Sequence, residues 1–127
     1  MTNTAKGTFD VELTPGQTEL DGAVSRFDFI KTFHGEITGR ARGLMLAGGD
    51  RNAGAAGYVA IEVVEGVVND RRGSFALQQL GTMSSGSQTL RYEVVPGSGK
   101  DELAGICGTF ELTIEDGAHH YELAYEL

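Results

Sequence analysis

Two neighbouring stretches hold the residues best placed to do chemistry, GYVAIEVVEG at 57–66 and GSFALQQLGTM at 73–83. Each is an apolar run broken by polar groups: Glu62 in the first, the adjacent Gln78 and Gln79 in the second. Between them lies NDRR at 69–72, a turn-forming tetrad. A hairpin centred on Asp70 and Arg71 sets Val64 opposite Leu77, Glu62 opposite Gln79, and Tyr58 opposite Met83. Side chains alternate along a strand, so Tyr58, Ala60, Glu62, Val64, Phe75, Leu77, Gln79 and Met83 share one face. Val59, Ile61, Val63, Ala76, Gln78 and Leu80 share the other.

The two faces give Glu62 two different fates. In an apolar cavity its carboxylate loses hydration, which raises its pKa and suits it to general acid–base work near neutral pH. Gln79 would then orient it or hold a substrate carbonyl, without exchanging protons itself. In the opposite arrangement Val59, Ile61 and Val63 face the core and Glu62 faces water. A slip of one residue in the turn separates Glu62 from Gln79.

Lys31 stands between Phe29 and Phe33 on one face of SRFDFIKTF. Turned into a lumen, it is a buried cation that needs a carboxylate, with Glu62 as a candidate partner. At a rim, its stem packs while its head reaches water. Tyr92 and Tyr121 are further donors, either in a pocket or in an ordinary core. The candidate site is therefore Glu62 as base, with Lys31, Tyr58, Phe75, Leu77, Gln79, Tyr92 and Tyr121 around a ligand.

The elements that must carry these residues read as strands. Phe9, Val11 and Leu13 alternate with polar residues, as do Tyr121, Leu123, Tyr125 and Leu127. Eight strands are expected, at about 7–14, 24–33, 36–46, 57–67, 73–83, 88–95, 106–115 and 118–127. Short links at 34–35, 69–72, 84–87 and 115–118 imply an antiparallel meander. Gly-Thr/Ser-Phe recurs as a strand opening at 7, 73 and 108. Two connections are longer. AGGDRNAGAA at 47–56 is expected as a flexible lip. PGSGKDELAG at 96–105 has room for one helical turn, with Ser98 as cap and Asp101 and Glu102 in the first turn. Eight meandering strands tend to close into a barrel, because closure removes exposed edges. Such a barrel has room inside for side chains or one small ligand.

Composition narrows the function classes. A chain of 127 residues is one domain, 1–127, large enough for a core without staples. The single cysteine, Cys107, forms no internal disulfide and fits a reducing cytoplasm. It is expected as a buried or half-buried inert thiol. No apolar run suits a signal peptide or a bilayer span. A net charge of −8, ten basic residues against eighteen acidic, disfavours nucleic acid and anionic membranes as partners. Three histidines, His34, His119 and His120, lack metal-ligand spacing, so neither metal nor cofactor is expected. PGSGK lacks the rest of a phosphate-binding loop, since Val94 and Asp101 stand where Gly and Ser or Thr are needed. SSGS lacks the strand–turn–helix setting of a nucleophile elbow.

GTFDVEL, KTFHGEITGRARGLML, GYVAIEVVEG, GSFALQQLGTM, VVPGSGKDELAGICGTF and HHYELAYEL, taken together, resemble a bacterial family of small proteins of unknown function. That family's barrel is grouped in fold with plant allene oxide cyclase. The resemblance spans nearly the whole chain and implies an eight-stranded antiparallel barrel, lipocalin-like in outline. It does not imply the cyclase's reaction. Relatives often read Leu-Gln-His where this chain has Leu77-Gln78-Gln79, so a Glu–His pair there becomes Glu–Gln here. Lipocalins themselves carry a Trp near the first strand and cupins a histidine cluster; both are missing.

Three functions are compatible with these residues. One is a metal-free barrel binding a small apolar or amphipathic molecule. The second is a cofactor-free isomerase, cyclase or lyase with Glu62 as base. The third is a structural or interaction protein with a filled barrel. The apolar outer residues Val59, Ile61, Val63 and Leu80 point to a homo-oligomer, with a dimer favoured.

Overall fold

The computed structural model describes residues 2–20 and 22–127. Eight long strands are present: β1 (Asn3–Pro15), β2 (Val24–Gly35), β3 (Ile37–Asp50), β4 (Ala55–Val68), β5 (Arg71–Ser84), β6 (Ser87–Val94), β8 (Cys107–Glu115) and β9 (Ala118–Glu126). A two-residue strand, β7 (Lys100–Asp101), lies between β6 and β8 in the chain. Antiparallel pairing runs β4-β3-β2-β1-β9-β8-β6-β5, and β4 then pairs with β5, so the sheet closes on itself. The result is an eight-stranded barrel with no open edge among its long strands.

The turns explain the meander. Ser85–Gly86 and Asp116–Gly117 are two-residue turns with positive φ at both positions. This backbone twist matches the twist of the strands it joins. Asn69 also has positive φ, and Val68 pairs with Arg71. The hairpin is therefore centred on Asn69–Asp70, one residue earlier than expected, which moves every partner by two. Glu62 faces Leu77, Gln79 faces Ala60, and Tyr58 faces Gly81. A shift of two preserves the alternation, so each residue keeps its predicted face.

Two longer connections differ from expectation. In 47–56, β3 and β4 continue to pair as far as Asp50 and Ala55. Only Arg51–Gly54 leave the ladder, with Arg51–Ala53 as a 3-10 turn whose Asn52 amide donates to the Asp50 side chain. In place of a flexible lip there is a capped hairpin. In 96–105 no helix forms. The Ser98 hydroxyl instead accepts from the Ala76 amide and donates to the Val95 carbonyl. Lys100 and Asp101 pair with Ser74 and Gly73, below the point where β6 leaves β5.

That same connection seals one end of the barrel. β6 and β8 share a single bridge, Glu93 to Thr109. Leu103 and Ile106 from the connection are fully buried beside the gap. Each such side chain stabilises the fold by about 1.5–3 kcal/mol relative to exposure. Above them Phe33, Phe75, Phe110, Tyr121 and Leu123 fill the lower interior, with rings of Phe110 and Tyr121 stacked 5.6 Å apart.

The opposite end is not sealed. It gathers the C-terminal ends of β1, β3, β5 and β8 and the N-terminal ends of β2, β4, β6 and β9. There the inward-facing positions become accessible: Leu13 is 54 % exposed, Leu90 41 % and Ile114 61 %. Val11, Phe27, Met45, Tyr58, Met83 and Leu112 are half-buried at the same end. The lumen is thus a filled base beneath an apolar mouth.

Candidate functional site

The site lies where the mouth meets the filled base, and four strands build it. Alternation turns Lys31 (β2), Glu62 and Tyr58 (β4), Gln79 (β5) and Tyr92 (β6) inward. Glu62 is 1 % exposed, Lys31 5 % and Tyr92 4 %. Lys31 Nζ donates to Glu62 Oε1 at 2.9 Å and to Tyr92 Oη at 2.5 Å. The Tyr92 hydroxyl donates to the same Glu62 Oε1 at 2.5 Å. Gln79 Nε2 donates to it at 3.2 Å, reaching diagonally across the β4–β5 ladder. The Tyr58 hydroxyl in turn donates to Gln79 Oε1 at 2.9 Å.

Three donors therefore converge on one carboxylate oxygen. The other, Oε2, is buried and has no hydrogen-bond partner among the described residues. An unpaired buried acceptor costs about 1–3 kcal/mol, and more when it carries charge. Such an atom in a closed core calls for an explanation.

Two of the three Lys31 N–H donors are engaged. Besides its two hydrogen bonds, its ammonium lies 4.6 Å from the ring centroid of Phe9 and 5.3 Å from that of Phe29. Aromatic faces stabilise a desolvated cation. Burial pulls the Lys31 pKa below the ordinary lysine value, and the Glu62 carboxylate opposes that fall. Burial pushes the Tyr92 hydroxyl well above the usual tyrosine range, and the neighbouring Glu62 charge adds to it. Tyr58 moves the same way for the same two reasons, burial first.

The remaining sequence candidates are placed differently. Phe75 and Leu77 are core residues, Leu77 as the cross-strand neighbour of Glu62. Tyr121 is buried, but its hydroxyl accepts from the Ile37 amide and donates to the His34 carbonyl, both at 2.9 Å. It ties strands together and does not join the Glu62 cluster. Gln78 faces outward and donates to Glu93 at 3.2 Å. Cys107, expected to be at least half-buried, is exposed, because it opens β8 beside the sealing connection. His119 is half-buried and stacks on Phe9 at 5.0 Å.

Sequence reading missed Phe9, Phe29 and Gly43. Gly43 faces Glu62 across the β3–β4 ladder. A Cβ there would meet the Phe29 ring, and would stand 2.6 Å from the Ile61 carbonyl oxygen and 2.8 Å from Glu62 Cβ. A glycine inside a strand signals such a close approach. Gly81 does the same for Tyr58, whose ring lies over the space a Cβ would take.

A separate groove of about 990 Å³ lies on the outside of the barrel, not in the mouth. Leu44, Leu46, Val59, Ile61 and Leu80 form its floor, and Gln17–Leu20 form one wall. These apolar residues are exposed and adjoin one another across β3, β4 and β5.

Comparison with known proteins adds a family and a fold. Residues 5–125 match the family described as "Protein of unknown function (DUF3224)". A crystal structure of a protein with unknown function from the same family, from Shewanella oneidensis MR-1, is 43 % identical. The two superpose with a TM-score of 0.93, covering 100 % of this chain and 98 % of that one. No curated protein matches the chain.

Proposed function

The chain belongs to the DUF3224 family, and on that premise we propose that it is a binding barrel that takes a small apolar or amphipathic molecule into its open end. The observation that carries this reading is the asymmetry of the lumen. One end is stoppered by Leu103 and Ile106, while the other exposes inward-facing Leu13, Leu90 and Ile114. Apolar side chains that face a lumen yet meet water are what a pocket for an apolar molecule requires. The buried Lys31–Glu62–Tyr92 cluster below supplies the few polar groups that orient such a ligand. The ligand-contacting set is Lys31, Tyr58, Gln79 and Tyr92 around Glu62, with Phe75, Leu77 and Tyr121 as the packed floor.

The test is a fluorescence titration with N-phenyl-1-naphthylamine, a neutral apolar probe. Saturable enhancement is expected, weakened by Ile114→Lys in the mouth and unchanged by Leu80→Asp in the outer groove. No saturable binding would favour a structural or interaction role for a barrel plugged by its own side chains.

A second reading has one observation in its favour. The free Glu62 Oε2 is the atom on which a general base would take a proton. Cofactor-free isomerisation, cyclisation or elimination is the matching chemistry. Glu62→Gln would abolish catalysis while leaving the binding of a probe without a donor, such as 1-methoxynaphthalene, in place. The grouping with plant allene oxide cyclase, drawn from sequence resemblance, brings neither reaction nor catalytic residue with it. No helix among the described residues is long and apolar enough to cross a membrane. The free, exposed Cys107 supports a reducing, cytoplasmic setting.

A further inference from the structure

We infer that the ligand is neutral and is held by a hydroxyl or N–H group that donates to Glu62 Oε2. The inference rests on the binding reading above and deepens it. A buried lysine in an apolar barrel ordinarily suggests an anionic ligand, such as a carboxylate. The geometry points elsewhere. Lys31 Nζ already donates to Glu62 Oε1 and to Tyr92 Oη, and its remaining side faces Phe9. Tyr92 spends its own proton on Glu62, and Gln79 spends an amide proton there too. The third Lys31 N–H faces the Phe9 ring, so the second amide proton of Gln79, a neutral donor, is the one donor of the cluster still unused. The buried atom without a partner is an acceptor, Oε2.

Charge leads to the same conclusion. Lys31 and Glu62 cancel, so the cluster as a whole attracts neither sign. An anion would meet the Glu62 carboxylate without a free cation to offset it. A cation would sit within a few ångströms of the Lys31 ammonium in a medium that screens poorly. A neutral donor avoids both costs and gives Oε2 the bond it lacks. Hydrogen bonds to a charged acceptor are among the stronger ones, so the donor is worth roughly a tenfold gain in affinity or more.

The route to Oε2 also has a gate. On β4, Tyr58 and Ala60 lie between Glu62 and the mouth. Ala60 is small, whereas Tyr58 is fastened to Gln79 at 2.9 Å. A ligand that reaches Glu62 has to displace that contact, so Tyr58→Phe should speed probe entry.

Three matched probes at pH 7 test the inference: 1-naphthol, which carries a donor; 1-methoxynaphthalene, which does not; and 1-naphthoate, which is anionic. Affinities are measured by competition against N-phenyl-1-naphthylamine and by calorimetry. The expected order is naphthol first by about tenfold, then the ether, with naphthoate weakest. In Glu62→Gln the preference for naphthol over the ether should shrink to less than threefold. The wild-type ranking decides the matter even if that variant folds poorly. Equal binding of naphthol and ether would overturn the inference while leaving the binding reading intact. Tightest binding of naphthoate would overturn it in favour of Lys31 as the anchor. Failure of all three probes and of the reporter would instead sink the binding reading itself.

Discussion

Removing one member of the buried ion pair should cost more than removing the pair together with the tyrosine hydroxyl that depends on it. Lys31→Met leaves the Glu62 carboxylate, 1 % exposed, without its cation. Stranding a buried charge in this way costs about 3–5 kcal/mol. Lys31→Met/Glu62→Met removes the stranded charge and fills the space with apolar volume. Tyr92 and Gln79 then lose their acceptor, at about 1–3 kcal/mol for each group left buried and unpaired. Adding Tyr92→Phe leaves Gln79 as the one donor without its acceptor, at about 1–3 kcal/mol, so the triple variant should be more stable than Lys31→Met. Urea unfolding of the wild type, Lys31→Met, Glu62→Met, the double and the triple variant at pH 7 measures these differences, provided the m-values agree. The account would fail if Lys31→Met cost under 1 kcal/mol, the range of an exposed pair. Costs that simply add in the double variant would show that the two side chains are not coupled.

Other predictions concern pH, packing and assembly. Tyr92 is raised well above 10.0, so its contribution to stability is complete below pH 10 and is lost as pH rises through its folded value. Unfolding midpoints should fall above pH 10, less steeply in Tyr92→Phe, and the Tyr92 phenolate band should appear only with unfolding. Gly43→Ala forces the Phe29 ring, the Ile61 carbonyl and Glu62 all to shift; a loss of about 1–3 kcal/mol and weaker probe binding are expected from urea and fluorescence titrations. The apolar strip across β3, β4 and β5 is proposed to pair with a second copy of the chain. Sedimentation should show a dimer that Ile61→Glu converts to monomer, and a monomer at high concentration in the wild type would refute this.

Much of the architecture was legible because the barrel obeys period-two alternation with strong turn signals. Phe9, Val11 and Leu13 read from sequence as one strand face, and the structure turns that face inward. The hairpin register was less legible, because NDRR offers several turn centres. Asn69 tolerates positive φ, and its preference moved the centre by one residue. Parity survived that error, which is why the face shared by Glu62 and Gln79 was read correctly although their direct pairing was not. Lys31 could be named as a partner of Glu62 only conditionally, since strands 31 residues apart meet through β3, and sequence spacing does not report that closure. Ser98 looked like a helix cap because its tertiary partner, the Ala76 amide, lies on another strand. The sealed end and the open end could not be told apart at all, because both Leu103 and Leu13 are apolar, and only three-dimensional closure covers one of them.

The most direct measurement is the side-chain carboxyl resonance of Glu62, assigned with Glu62→Gln and followed by carbon-detected NMR as 1-naphthol is added. A saturable shift of the Glu62 signal, absent with 1-methoxynaphthalene and absent from exposed carboxylates such as Glu126, is the predicted result. A Glu62 signal that stays fixed while Leu80 and Val59 respond would place the binding site in the outer groove and contradict the account.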